Sequence, residues 1–188
     1  MSITENMSTT LLDIPLRRID NTEGSLADYK GSVLLIVNVA SKCGLTPQYA
    51  GLEKAYETQR ERGLVVLGFP SNDFAAQEPG TESEIQTFCQ TTFGVKFPMF
   101  SKIAVNGEAR HPLYSALIAA QPKATAVPDS KLREKLGSRG LLPKGESDVM
   151  WNFEKFLVSR DGKVIGRFAP DITVEDQPLA GAIEKALG

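Results

Sequence analysis

The apolar positions of this chain fall into two continuous runs and several spaced stripes. Val33 to Val39 is apolar except for Asn38, rich in β-branched residues and bounded by Gly31 and Ser41. Such a run predicts a strand buried on both faces. Leu64 to Phe69 is a second run of the same kind, ended by Pro70. Between them Tyr49, Leu52, Ala55 and Tyr56 recur every three or four residues. That spacing predicts a helix from about Pro47 to Arg62, with Thr46 as N-cap, Pro47 in its first turn and Gly63 as its stop. Strand, helix, strand in this order predicts a right-handed βαβ unit with parallel strands.

The rest of the chain reads in shorter pieces. Leu11 to Arg18, followed by the turn cluster Asp20 to Gly24, predicts an amino-terminal β-hairpin. Thr81 with Glu84 three residues on forms a capping-box pattern. The helix it opens runs to about Thr92, with Ile85, Phe88 and Cys89 on its inner face. Val95 to Ile103 is a strand or an extended segment, and Val105 to Gly107 a turn. His111 to Ala120 is a short helix with Leu113, Leu117 and Ile118 inward, and His111 at its start reads as a surface or capping residue rather than a catalytic one. Trp151 to Val158 alternates in part, Ser159 to Gly162 turns the chain, and Lys163 to Phe168 returns, so this is an antiparallel hairpin. Glu175 to Leu187 is the last helix, with Leu179, Ile183 and Leu187 on one face. The order predicts an α/β protein: a mixed central sheet flanked by helices, with an amino-terminal β-hairpin.

Pro122 to Val149 differs in kind. It carries three prolines, six Lys or Arg and four Asp or Glu among few apolar residues. It is too short for a second domain and predicts a surface excursion with one helical turn near Lys131 to Leu136. The length of 188 residues then fits a single domain over 11–188, preceded by a flexible tail over 1–10. A hydrophobic fraction of 41%, a charged fraction of 23% and a net charge of −2 are ordinary for a globular chain. They point to no nucleic-acid partner, and no apolar run reaches the length of a membrane span. The polar first ten residues do not form a secretory signal. Two cysteines make no disulfide framework, and with one histidine they are too few for a Cys/His zinc site. A reducing, cytoplasmic setting and a monomer are the expectations.

Chemistry enters with Cys43. Ala40-Ser41-Lys42 delivers it from the carboxyl end of the first buried strand to the start of a helix. The carboxyl ends of strands are where sites form in open α/β sheets, and a helix N-terminus favours an anion such as a thiolate. From position alone Cys43 is either a reactive thiol or a small buried hydrophobe in a loop. The segment Ser71 to Gly80 leaves the second strand at the same edge of the sheet.

Here the sequence resembles a known family. Asn38-Val-Ala-Ser-Lys-Cys-Gly-Leu-Thr-Pro-Gln-Tyr49 is similar to the active-site stretch of the glutathione peroxidase family in its cysteine-containing form. Leu67 to Gly80, with Pro70-Ser-Asn-Asp-Phe-Ala-Ala-Gln-Glu-Pro-Gly80, resembles its second motif and Trp151-Asn-Phe-Glu-Lys-Phe-Leu-Val158 its third. The resemblance implies a thioredoxin-like fold and a tetrad of Cys43, Gln77, Trp151 and Asn152, with Cys43 attacking the peroxide and the other three donating hydrogen bonds to sulfur or to the leaving oxygen. Relatives have Gly-His or other residues where this chain has Ala75-Ala76, beside the tetrad but outside it. Cys89, in Phe88-Cys-Gln-Thr-Thr-Phe-Gly-Val-Lys-Phe-Pro98, resembles the resolving cysteine of two-cysteine members, which implies thioredoxin as reductant and no bound cofactor. A core-facing thiol with no such role is the competing reading. It goes with glutathione as direct reductant. A peroxide sensor that passes a disulfide to a partner, and a non-catalytic binding module, are the further alternatives. If Cys89 resolves, the helix carrying it must loosen, because a disulfide needs Cα atoms within about 7 Å.

Overall fold

The computed structural model describes residues 10–188; the expected tail over 1–10 lies almost entirely outside them. Strands β1 (Leu16–Arg17) and β2 (Glu23–Gly24) form the amino-terminal hairpin, antiparallel with Leu16 opposite Gly24. The main sheet has four strands: β3 (Val33–Val39), β4 (Leu64–Pro70), β5 (Lys155–Val158) and β6 (Val164–Phe168), in the order β4-β3-β5-β6. β3 and β4 are parallel, in register from Val33 opposite Leu64 to Val39 opposite Pro70. β5 runs antiparallel to both β3 and β6. The sheet is therefore mixed, as its sequence pattern predicts. All seven residues of β3 are buried, which is why the run carries no alternation.

Among the described residues, five α-helices flank this sheet: α1 (Gln48–Gln59), α2 (Glu82–Phe93), α3 (Pro112–Ala120), α4 (Lys131–Ser138) and α5 (Gln177–Leu187). α1 packs on β4, α2 on α1 and α5 on β3. α2 is capped as its sequence indicates: Thr81 accepts from the Glu84 N–H, and Gly94 ends the helix at φ 60°. His111 caps α3, its Nδ1 accepting from the Leu113 N–H at 3.1 Å. A short 3₁₀ turn, Arg60–Arg62, continues α1 to Gly63 at φ 108°.

Three local expectations are corrected, and one, the strand or extended segment after Val95, is narrowed to the second alternative. Thr46 does not cap α1; its hydroxyl turns back to the Cys43 N–H and the Ala40 carbonyl. The segment after Val95 forms no regular strand. Pro98 to Phe100 runs beside β4 and joins it through Gly68, whose N–H donates to Pro98 O and whose carbonyl accepts from the Phe100 N–H. A Cβ on Gly68 would lie 2.5 Å from the Met99 sulfur, so this close approach requires glycine. Strand β5 begins only at Lys155, because Phe153 adopts a left-handed conformation at φ 68°. The 122–149 excursion holds two helical turns in α4 rather than one, and it buries Leu136 and Val149.

Candidate active site

Three segments meet beyond the carboxyl end of β3. The first is the turn after the strand. The Cys43 N–H donates to Thr46 Oγ1 at 3.0 Å, the Thr46 N–H donates to the Cys43 carbonyl at 3.0 Å, and Thr46 Oγ1 donates to Ala40 O at 2.8 Å. This closed loop aims the Leu45 N–H at Cys43 Sγ, 3.3 Å away. Among the described residues it is the one hydrogen-bond donor on the sulfur. Cys43 is 8% exposed, at the edge of solvent.

The second segment is Ser71 to Gly80, after β4. The Ser71 N–H donates to Val39 O, and the Lys42 N–H donates to the Gln77 carbonyl at 3.0 Å, tying this loop to the residue before Cys43. Ala75 and Ala76 both sit at φ 52°, a left-handed pair that costs strain for a residue with a Cβ.

The third segment is Trp151 to Glu154. β5 pairs with β3 only as far as Val37 opposite Lys155, so Asn38 has no strand neighbour on that side. Asn38 instead holds the incoming turn: its Nδ2 donates to Trp151 O at 3.1 Å, and its carbonyl accepts the Phe153 N–H at 2.6 Å. The left-handed Phe153 is buried and meets Tyr49 edge-on at 5.4 Å. The turn thus fixed presents Trp151 against Phe74, ring centroids 5.4 Å apart, and Asn152 against Gln77. Asn152 Nδ2 donates to Gln77 Oε1 at 3.0 Å. With its oxygen engaged, the Gln77 amide keeps its N–H donors free of protein acceptors among the described residues. The buried Asn152 Oδ1 also lacks a protein partner. Gln77 and Asn152 are therefore in contact and Trp151 is joined to them through Phe74, while the donor on sulfur is a backbone N–H rather than one of these side chains.

Cys89 lies apart, on the inner face of α2 and 1% exposed. Burial pushes its thiol up to about 11, against the pull of the Tyr49 hydroxyl and with a further push from Glu78. Both cysteines are free. Between the Cys43 loop and α2 lies a cavity of about 320 Å³, lined by Ser41, Lys42 and Glu78 on one side and Ile85 and Phe88 on the other. Glu78 is 1% exposed, and burial raises its carboxyl above the ordinary range despite the Ser41 dipoles. The largest cleft, about 1160 Å³, is walled by the 122–149 excursion together with Met150, Arg167 and Asp171; Cys43 and Gln77 do not line it. Among the described residues no group of three or more His, Cys, Asp or Glu is placed to hold a metal ion, and no helix is long and apolar enough to cross a membrane.

Sequence reading missed three contributors. Asn38 was visible as the one polar residue in an apolar strand. Glu78 was visible only as the neighbour of Gln77. Lys155 gave no signal, since a lysine opening a half-alternating strand reads as exposed, yet it is fully buried.

Comparison with known proteins follows the same lines. The glutathione peroxidase family model matches residues 11–118. The chain is 54% identical over 181 residues, 96% of its length and 99% of the other, to a protein named thioredoxin/glutathione peroxidase BtuE from Escherichia coli strain K12. A crystal structure described as Trgpx in apo form superposes with a TM-score of 0.69 at 36% identity, covering 96% of both chains. A thiol:disulfide interchange protein of the thioredoxin family from Chlorobium tepidum superposes over 93% of both chains with a TM-score of 0.57 at 16% identity, a likeness of fold alone. The fold is thioredoxin-like, and the motifs around Cys43, Gln77 and Trp151 sit in a chain that belongs to the glutathione peroxidase family, an oxidoreductase of the peroxidase class.

Proposed function

We propose that the protein is a two-cysteine thiol peroxidase that reduces hydrogen peroxide and organic hydroperoxides, with thioredoxin as its reductant. The observation that carries this reading is the Cys43 sulfur met at the sheet edge by the Leu45 N–H, on a loop tied through Lys42 to the Gln77 backbone, with the Gln77 amide donors left free by Asn152. The Cys43 thiolate attacks one peroxide oxygen. The O–O bond breaks, sulfur becomes sulfenic acid, and the other oxygen leaves as water or alcohol after taking a proton. In this reading Gln77, Asn152 and the Trp151 indole donate to that oxygen as charge develops on it.

Cys89 then condenses with the sulfenic acid, releasing water and forming the Cys43–Cys89 disulfide. In the closed structure its thiol is buried and protonated far above neutral pH, so the step requires α2 to open. Opening exposes the thiol, restores its ordinary acidity and brings it within disulfide reach. Of the basic residues that would suit glutathione carboxylates, Lys123, Lys131, Arg133 and Lys144 line a cleft that Cys43 and Gln77 do not line, leaving Lys42 on the Cys43 loop, which favours a protein reductant.

Burial of Cys89 is the specific observation for the second reading, direct reduction by glutathione with Cys89 as core. Peroxide-dependent NADPH consumption separates the two. The pure protein is run in parallel with thioredoxin and its reductase and with glutathione and its reductase. Fast turnover only with thioredoxin is expected; fast turnover with glutathione that survives Cys89→Ser overturns the two-cysteine cycle. No turnover with either would favour a peroxide sensor.

A further inference from the structure

Lys155 opens β5 and is fully buried, in register with Val37 of β3 and Phe168 of β6. A buried amine is costly unless every hydrogen is used. Here each one is: Nζ donates to Gln48 Oε1 at 2.7 Å, to Pro170 O at 2.9 Å and to Ile172 O. All three partners are oxygens of amide groups, which accept and cannot donate. Three acceptors match an ammonium; a neutral amine has two hydrogens and would turn its lone pair on one of these oxygens.

The place of this group in the fold gives it a consequence for Cys43. Gln48 is the first residue of α1, and its Nε2 donates in turn to Pro170 O at 2.8 Å. The Gln48 N–H donates to Leu45 O at 2.9 Å, and Leu45 supplies the N–H on Cys43 Sγ. A continuous chain of hydrogen bonds therefore runs from the buried amine to the sulfur. We propose that Lys155 is a positioning residue for the Cys43 reaction: its ammonium clamps the first turn of α1 through Gln48 and supplies a buried positive charge at the far end of the hydrogen-bond chain that leads to the Cys43 sulfur. The short motif around Cys43 offers no such cation, since Lys42 is exposed to solvent.

The groups facing Lys155 can be named from each side. The 170–176 segment presents Asp171, Glu175 and Asp176, and Glu154 immediately precedes Lys155 in the chain, just before β5. Glu154 is itself engaged by Arg167 at 2.7 Å. α1 presents the neutral Gln48, and β3 and β6 present the apolar Val37 and Phe168. Burial pulls Lys155 down to about 7, and Asp171 followed by Glu154, Asp176 and Glu175 hold it up. The charge is thus present below neutral pH and absent well above it, and its effect on Cys43 has the same dependence.

The inference rests on Cys43 as the reacting thiol but not on peroxide as the substrate, so its test uses alkylation. Iodoacetamide labelling of Cys43, read peptide by peptide by mass spectrometry, is followed at pH 6 and pH 9. For Lys155→Met the rate at pH 6 is expected to fall roughly tenfold, the size of one unit of acidity, and at pH 9 by less than twofold. Lys155→Arg keeps a charge and is expected to retain the parent's ratio of the two rates. Gln48→Ala breaks the clamp and keeps the charge, and should slow both rates alike. Equal losses at both pH values for Lys155→Met overturn the charge role. Should that variant not fold, reciprocity supplies a second readout. The Lys155 side chain, titrated by NMR in the parent and in Cys43→Ser, should lose its proton at lower pH in the Ser variant, and an unmoved midpoint overturns the proposal. An intact coupling in a protein inert to hydroperoxides would sink the peroxidase reading instead.

Discussion

The two cysteines occupy opposite settings built from the same kinds of element. Cys43 lies in a turn between a strand end and a helix start, with its backbone closed on Thr46 and its sulfur aimed by the Leu45 N–H. Cys89 lies within a helix capped at both ends, its thiol buried beside the Tyr49 hydroxyl and pushed up to about 11 by that burial. On the proposed two-cysteine reading, the first would react without moving and the second only by leaving its place. The difference teaches what that reading demands: a thiol met by fixed dipoles to attack, and a packed thiol that resolves only once its helix opens.

The largest effect that tests this contrast is Cys43→Ser, expected to lower peroxide turnover by about 10³-fold or more because the nucleophile itself is gone. Stopped-flow peroxide consumption checks it, and substantial residual turnover would move the chemistry elsewhere. Next is Asn38→Ala. It removes the side-chain amide that holds Trp151 O while leaving the backbone bond to Phe153, so the turn carrying Trp151 and Asn152 loosens. A loss of about 1–3 kcal/mol in stability is expected from the unpaired buried carbonyl, together with a fall in turnover and unchanged burial of Cys89. Denaturant unfolding and the rate of Cys43 oxidation read the two parts separately.

Gly94→Ala acts on the other region. At φ 60° alanine costs roughly 1–2 kcal/mol, so the end of α2 is weakened while the Cys43 loop is untouched. Disulfide formation after a single dose of peroxide should speed up several-fold, and the initial oxidation of Cys43 should not change. Rapid quenching and mass spectrometry distinguish these steps. Glu78→Gln is the smallest expected effect and is read against pH. Burial raises the Glu78 carboxyl, so its contribution to stability is full below the ordinary carboxylate value near 4.3 and declines as pH rises through the folded value. Gln removes that decline, so the variant should melt higher than the parent at pH 7 and alike near pH 4. A lower Tm at pH 7 would mean that the buried carboxylate is better satisfied than its unpartnered Oε2 indicates.

The same contrast explains how much of the molecule the sequence discloses. β3 and β4 are legible because a strand buried on both faces writes an unbroken apolar run, and α2 because its cap and inner face follow a period. Cys43, Gln77 and Asn152 are legible as motif residues, but the contact between Gln77 and Asn152 is not, since it depends on Phe153 adopting a left-handed turn that its side chain does not announce. Thr46 satisfies every rule for a helix cap and yet serves the Cys43 turn, because its hydroxyl accepts from the Cys43 N–H and donates to the Ala40 carbonyl. Lys155 stays hidden because local pattern cannot show that three distant oxygens, on Gln48, Pro170 and Ile172, converge on one amine.

The central claim is that α2 opens to release Cys89. Hydrogen exchange measured before and after one equivalent of hydrogen peroxide tests it most directly, with the Cys43–Cys89 disulfide confirmed in the same sample. The account predicts that amides of 82–93 lose protection on oxidation while those of β3 keep theirs. A disulfide formed with α2 still protected, or oxidation of Cys43 with no disulfide to Cys89, would contradict it.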